Sequence, residues 1–553
     1  MSAKTFVPAQ YQPDLPVDKI ILDAKPGEEA VPFDVCFVGA GPASLAGAIE
    51  LARLVQQANE AGDGPGEVSI AVIEKGAGIG HHTMSGAVVN PVAMRELFPD
   101  LKDSDFPFGT HVTGERLWLL TGSGHYRLPT PPSMNNHGNY VSSICDITRW
   151  LAEQAEALGV EVLSGFPVSA LFTSDNKVTG VQIVESGLDH DGNQMANYQP
   201  PTDIEARIVC LGEGTRGMLT QAWRQWQGVA AQNPQIYALG VKELWRTRQK
   251  LDHVVHTMGW PLPRDAFGGS WMYPLEEGLI SIGLTVGLDY RDATLDVHRL
   301  FQQMKGHPVF KPYLDGGEIQ EWGAKTIPEG GFFALPERLS GDGLLLLGDA
   351  AGLVDVPSLK GIHYAIKSGM LAAHTILEAL KKGDVSAAAL ADYDRRVHGS
   401  YIVKDMYRTR NMRLAFKDGF YIGGIKAGLM TLTGGSFPGG RITMHADADV
   451  PRTAGVASEF RYDNKLTFNK VDSVFKSGNE TRDSIPSHLI VGEDIPEEVA
   501  TLYEHLCPAQ VYERIDGTLR VNAPNCVDCK ATDVIAPRWT PREGGSGPKY
   551  KRM

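Results

Sequence analysis

Four apolar residues, Val35-Cys36-Phe37-Val38, run straight into Gly39-Ala40-Gly41-Pro42-Ala43-Ser44. Alanine, leucine and isoleucine then recur at helical spacing from Leu45 to Leu54, and a second apolar run, Val68 to Ile73, ends in Glu74. Strand, glycine turn, helix, strand and acid is the pattern of a dinucleotide-binding unit. Gly39 permits the tight turn, and Gly41 lets backbone approach a pyrophosphate seated on the helix N-terminus. Ser44 takes the third glycine position and is small enough for close helix–strand packing. Glu74 is placed to accept hydrogen bonds from a ribose hydroxyl.

Further along, Ile147 to Leu158 reads as a helix carrying Arg149, and Val160 to Phe172, Val178 to Val184 and Ala206 to Leu211 read as strands. The last runs into Gly212-Glu213-Gly214-Thr215-Arg216-Gly217, formally a second GxGxxG. No strand ending in an acid follows it at the right distance, so it reads as a turn completing the first unit. From about 235 to 335 short alternating runs with many aromatics predict a mostly antiparallel sheet inserted in the first domain. Leu344 to Leu347 is then a buried strand, stopped at Gly348-Asp349, and Lys360 to Lys381 is a long helix. Asp349 can bond a polyol hydroxyl. From 407 to 432, Ile422, Ile425, Leu429 and Leu432 share one helical face. Its glycines and its Lys417, Asp418 and Lys426 suit either an in-plane membrane element or a packed helix. Gly76 to Gly86 is a glycine-rich loop. Its His81 and His82 have no partners at metal-ligand spacing.

At 553 residues the chain is long enough for two or three domains. A net charge of −14 argues against a nucleic-acid partner and against electrostatic attraction to anionic lipid. No run of about 18 apolar residues offers a membrane span, and Met1 to Pro16 has no signal-peptide core. Cys36, Cys145 and Cys210 are isolated and read as unreactive thiols. Cys507, Cys526 and Cys529 crowd the last tenth of the chain, which in a reducing compartment points to metal, as a cluster or as zinc.

Several ordered blocks resemble the electron-transfer flavoprotein–ubiquinone oxidoreductase family over nearly the whole chain. They include Gly39 to Ser44, His82 to Gly86, NNHGNYV from Asn135, HTMGWP from His256, FGGS from Phe267, VPSLKG from Val356, CPAQVYE from Cys507, and Asn525-Cys526-Val527-Asp528-Cys529-Lys530. Residues 1–30, rich in proline and charge, read as an extension draped on the surface. The resemblance implies an α/β protein with a Rossmann-like FAD domain of glutathione-reductase type (31–234 and 336–406). It also implies an inserted, mostly antiparallel quinone-binding domain (235–335), a membrane-contact segment (407–450) and a ferredoxin-like iron–sulfur domain (451–553).

By position, Gly39, Gly41, Ser44, Glu74, Thr83, Ser85, Gly86, Arg149, Gly348, Asp349 and Gly361 would line FAD. Gly268 and Gly269 would offer backbone groups to ubiquinone, and Cys507, Cys526 and Cys529 would ligate a 4Fe-4S cluster. Residues from about 89 to 110, with 407 to 432, would dip into the bilayer. The implied role passes electrons from reduced electron-transfer flavoprotein to ubiquinone at the cytoplasmic face of the inner membrane, with no catalytic acid or base nominated. The alternative is a flavin-only quinone or lipid oxidoreductase whose cysteine tail has lost its cluster or holds zinc. Two departures stand out. Thr532 occupies the position of the family's fourth cysteine, with Asp528, Asp533 or water as possible substitutes. Asp355 stands where the family usually has asparagine, and an ionised acid there would disfavour reduced, anionic flavin.

Overall fold

The computed structural model describes residues 4–276, 278–437 and 439–553. Val31–Val38 forms the centre of a nine-stranded sheet, paired in parallel with Ile70–Glu74 on one side and Thr202–Leu211 on the other. Val35 to Val38 are buried because helices cover both faces of the strand. Glu161–Ser164 extends the parallel run, and Leu344–Leu346 joins alongside Thr202–Leu211. Helices Pro42–Glu60 and Ile362–Lys382 pack tightly, because a Cβ on Gly369 would lie 2.0 Å from the Ala43 carbonyl oxygen. That approach brings the two glycine turns preceding these helices together.

The N-terminal extension is structural rather than draped. Ile21–Asp23 pairs in parallel with Leu171–Thr173 at the sheet edge, and Thr5–Phe6 pairs with Arg452–Thr453.

The second domain is a seven-stranded sheet. Glu318–Pro328, Tyr237–Arg246, Leu279–Gly287, Gly268–Glu276 and Val254–Gly259 are antiparallel neighbours. Its far edge is the hairpin Glu115–Leu120 and His125–Leu128, joined in parallel to Val254–Gly259. That hairpin falls within the range assigned above to the flavin domain, so the insertion draws strands from both sides of the 235 boundary. Helix Val297–Lys305 packs on this sheet, and its Lys305 makes a fully buried ion pair with Glu243 at 2.7 Å.

The C-terminal unit shares a hydrophobic core with this second sheet. It comprises helix Glu497–Leu506, hairpin Tyr512–Ile515 with Thr518–Val521, the cysteine loop and the short helix Ala531–Ile535. Helix Phe420–Leu432 stands out from the body, with Leu432 84% and Ile425 68% exposed. The expectation for residues 89 to 110 is not met in the same way. Phe98 and Phe106 are buried, edge-on to Trp150, so that stretch turns its aromatic side chains inward.

Candidate functional site

Gly39 adopts φ +91°, and a Cβ there would meet the Gly212 carbonyl oxygen at 2.7 Å, so only glycine makes this turn without strain. Gly41 precedes the first turn of helix Pro42–Glu60, and an added Cβ would find no atom within 4 Å. The space in front of that helix N-terminus is therefore open, as an anionic pyrophosphate requires. Glu74 secures the turn: Oε2 accepts from the Ala40 N–H at 3.0 Å and Oε1 from the Gly76 N–H at 2.8 Å. Ser44 is buried against Gly212, whose added Cβ would sit 2.1 Å from Ser44 Oγ. The second GxGxxG is thus a packing turn, and its Glu213 carboxylate accepts from the N–H groups of Leu219 and Thr220, capping the helix that follows.

The other glycine turn comes to the same place. A Cβ on Gly348 would approach Ala43 Cβ to 3.2 Å. Asp349 follows, partly buried, and its carboxyl is pushed up to about 6 by burial, with Lys325 opposing. Gly361 begins helix Ile362–Lys382, and its added Cβ would meet Asp349 Oδ1 at 3.6 Å. Two helix N-termini brought to one place, the open space in front of Gly41 and a carboxylate for a sugar or polyol fit FAD.

In the glycine-rich loop, Thr83 Oγ1 donates to the Gly80 carbonyl at 2.8 Å and Ser85 Oγ accepts from the Ala87 N–H at 3.1 Å. Gly86 has open space around it. Lys242 Nζ donates to the Ser85 carbonyl at 3.0 Å, tying the loop to the second sheet. Arg149 reaches this loop near Gly80 but spends Nη2 on Asp146 and on the Lys551 carbonyl, so it clamps the chain end instead of joining Gly39. Asp355 has its carboxyl raised by burial, with the Ser358 hydrogen bond opposing.

Gly268 and Gly269 are neighbours on one strand. Added Cβ atoms would meet the Thr285 oxygen at 2.2 Å and the Thr257 oxygen at 2.6 Å, so sheet packing alone calls for glycine at both. Beside them lies a feature with no sequence signal. The buried Arg413 guanidinium stacks 4.0 Å from the Phe267 ring centroid and pairs with Glu329 at 2.6 Å and Asp289 at 3.0 Å.

Cys507, Cys526 and Cys529 line one cavity, closed by Thr532, Tyr512 and Trp539. Burial raises all three thiols, Cys526 to about 12, and each of Cys507 and Cys526 raises Cys529 further. Negative charge on sulfur is unfavourable here until a cation supplies the opposite charge, as in a metal or iron–sulfur site. The donor set fits such a group. Neither nearby carboxylate points its charge into the cavity unopposed. Asp533 Oδ2 accepts from Arg216 at 2.9 Å and Oδ1 from the Trp539 N–H at 2.9 Å. Asp528 Oδ1 accepts from Arg542 at 2.9 Å and from Trp539 Nε1 at 3.0 Å, while Oδ2 pairs with Lys75. His488 lies behind Cys526, grouped with Asp528.

The cysteine loop is also bonded to strand Glu318–Pro328 of the second sheet. Lys325 Nζ donates to the Asp528 carbonyl at 3.1 Å and the Thr326 N–H to the Cys529 carbonyl at 2.9 Å.

Residues 237–327 match the family model described as ETF-QO, ubiquinone-binding, and residues 464–551 match the one described as electron transfer flavoprotein-ubiquinone oxidoreductase, 4Fe-4S. An electron transfer flavoprotein-ubiquinone oxidoreductase of Pseudomonas aeruginosa is 37% identical, with 95% of this chain and 100% of that protein covered. Among solved structures, a geranylgeranyl bacteriochlorophyll reductase-like protein of Thermoplasma acidophilum aligns with a TM-score of 0.57 at 20% identity, covering 74% of this chain and 98% of that one. A flavin-dependent brominase aligns with a TM-score of 0.51 at 16% identity, covering 73% and 94%. The latter two share the fold.

Proposed function

Because this chain belongs to the electron transfer flavoprotein–ubiquinone oxidoreductase family, we propose that its glycine turns and its cysteine cavity are two stations on one electron path. The protein is an oxidoreductase carrying FAD and a 4Fe-4S cluster, with electron-transfer flavoprotein as donor and ubiquinone as acceptor. Bound FAD exchanges one or two electrons, the cluster one and a quinone two, so the protein has to hold them close and set their potentials.

The observation that carries the reading is the contact between the loops. Asp528, between two cavity cysteines, is bonded to Lys75, which directly follows Glu74 of the nucleotide unit. Gly39, Gly41 and Ser44 form the floor for the pyrophosphate, Glu74 steadies that floor and faces the ribose, and Asp349 with Gly361 holds the far part of FAD. Thr83, Ser85 and Gly86 lie along the same cofactor, with Arg149 closing the loop from behind. Gly268 and Gly269 offer backbone groups to the quinone, and Arg413 keeps Phe267 in place beside them. Cys507, Cys526 and Cys529 ligate the cluster.

The apolar face of Phe420–Leu432 attaches the protein to a membrane in plane, on the cytoplasmic side of the inner membrane. No helix among the described residues is long and apolar enough to cross one. Lys426 lies within this helix, Lys417 and Arg264 border it, and Arg264 lies 6.0 Å from the Tyr421 ring. The flavin-only alternative is not favoured, since the 4Fe-4S family model matches the whole cysteine unit. Anaerobically purified protein should contain FAD, iron and acid-labile sulfide. Zinc without sulfide would replace the cluster reading.

A further inference from the structure

We propose that one iron of the cluster has no protein ligand, so that this iron is exchangeable and leaves first on oxidation. The inference rests on the cluster reading above and concerns what this chain offers the fourth corner.

Four-iron clusters are ordinarily held by four thiolates, and this cavity presents three. Thr532 stands on the cavity wall, but an aliphatic hydroxyl keeps its proton near neutral pH and is a poor iron ligand. Tyr512 is also on the wall with its hydroxyl unpartnered, but a phenol likewise keeps its proton near neutral pH. The charged groups beside the cavity are engaged elsewhere. Asp533 is held by Arg216 and the Trp539 N–H. Asp528 is divided among Arg542, Trp539 and Lys75. Lys530 Nζ lies over the Trp539 ring, 3.0 Å from its centroid. His488 is buried with neither ring nitrogen hydrogen-bonded, but it lies beside Cys526 and Asp528 and is not part of the cavity wall. Replacing the carboxylates' partners would leave buried cations unpaired, which opposes their turning inward. The fourth corner therefore falls to a small exchangeable ligand such as water.

The consequence is a one-electron step. An outer-sphere oxidant such as ferricyanide takes one electron from the oxidised four-iron core and is itself reduced. One ferrous ion passes to water, and three ferric ions and four sulfides stay on the three thiolates. A reductant with added ferrous ion reverses it.

The test uses holoprotein purified without oxygen, native and as Thr532→Cys and Thr532→Val, each treated with ferricyanide. Released ferrous ion is followed with a chromogenic chelator, and the cluster by electron paramagnetic resonance. Native protein should release one iron per cluster and develop a three-iron signal. Thr532→Val should behave the same, because the hydroxyl is not a ligand, and Thr532→Cys should retain its iron. Should Thr532→Cys assemble no cluster, the native and valine proteins decide alone. Native protein that keeps four irons would overturn the inference and leave the cluster reading intact. Cluster loss specific to Thr532→Val would make the hydroxyl a ligand and also overturn it, and so would native protein that keeps four irons where His488→Gln, treated alike, releases one. Absence of iron and sulfide from all anaerobic samples would overturn the cluster reading itself.

Discussion

His82 Nδ1 stands 3.5 Å from Asp528 Oδ2, the oxygen that also pairs with Lys75. The glycine-rich loop of the nucleotide unit and the loop carrying Cys526 and Cys529 thus close on one buried carboxylate. Burial works against ionised Asp528, but Arg542 and Lys75 outweigh it and hold the carboxyl well below its ordinary range. Removing that charge leaves two cations facing each other without an anion. Asp528→Asn is expected to lower stability by about 3–5 kcal/mol, the usual cost of breaking a buried pair. Denaturant titration measures it, and a change within about 0.5 kcal/mol, as for an ordinary surface site, would show that the carboxylate does not hold the two loops.

Gly41→Val isolates cofactor binding from folding. Gly41 has a φ of −85°, which valine adopts, and no neighbouring atom lies within 4 Å of its added Cβ. The side chain would project into the space in front of the helix N-terminus, where the pyrophosphate approaches. The variant should keep a native circular-dichroism spectrum and be purified colourless. Full flavin content would place the pyrophosphate elsewhere.

Asp349 sets a trade between apoprotein stability and cofactor binding. Its folded value is about 6, above its ordinary value of 3.8. The folded state therefore holds the proton more tightly than the unfolded chain, and stability falls as pH rises from about 4 through about 6. Asp349→Asn should stabilise the apoprotein at pH 7.5 by on the order of 1–3 kcal/mol, have little effect at pH 4, and weaken FAD binding at both. Thermal melts of apoprotein at the two pH values check the sign. A variant less stable at pH 7.5 would contradict it.

Membrane attachment should be apolar and resistant to salt. Tyr421, Ile422, Ile425, Leu429 and Leu432 are all exposed on Phe420–Leu432. Burying such a side chain is worth roughly 1.5–3 kcal/mol, so a few suffice. In flotation with neutral phospholipid vesicles, the protein should rise with the lipid in high salt, and Ile425→Glu with Leu429→Glu should leave it at the bottom. Release by salt alone would shift the attachment to the basic residues in and beside the helix, Lys417, Lys426 and Arg264.

The parts legible in the sequence were those whose signal is local. The run Val35 to Val38 with its glycine turn, the run at Leu344 and the trio Cys507, Cys526 and Cys529 each carry their meaning within a few residues. The domain of the hairpin at 115–128 is not legible locally, because its partner strand, Val254–Gly259, lies far along the chain. Ile21–Asp23 is too short for its alternation to register and is fixed by pairing with Leu171–Thr173. Asp528 read as a spare carboxylate beside the cysteines, because Lys75, His82 and Arg542 meet it only in three dimensions. The same holds for Arg413, whose partners Asp289 and Glu329 come from a different domain.

The central claim is that electrons enter from electron-transfer flavoprotein and leave to ubiquinone through cofactors held in this one chain. Anaerobic stopped-flow absorbance of the holoprotein tests it most directly, mixing first with reduced electron-transfer flavoprotein and then with a short-chain ubiquinone. The account predicts that the bound flavin bleaches in the first mixing and recovers its oxidised spectrum in the second. Flavin that stays oxidised against reduced electron-transfer flavoprotein, while dithionite reduces it fully, would contradict the account.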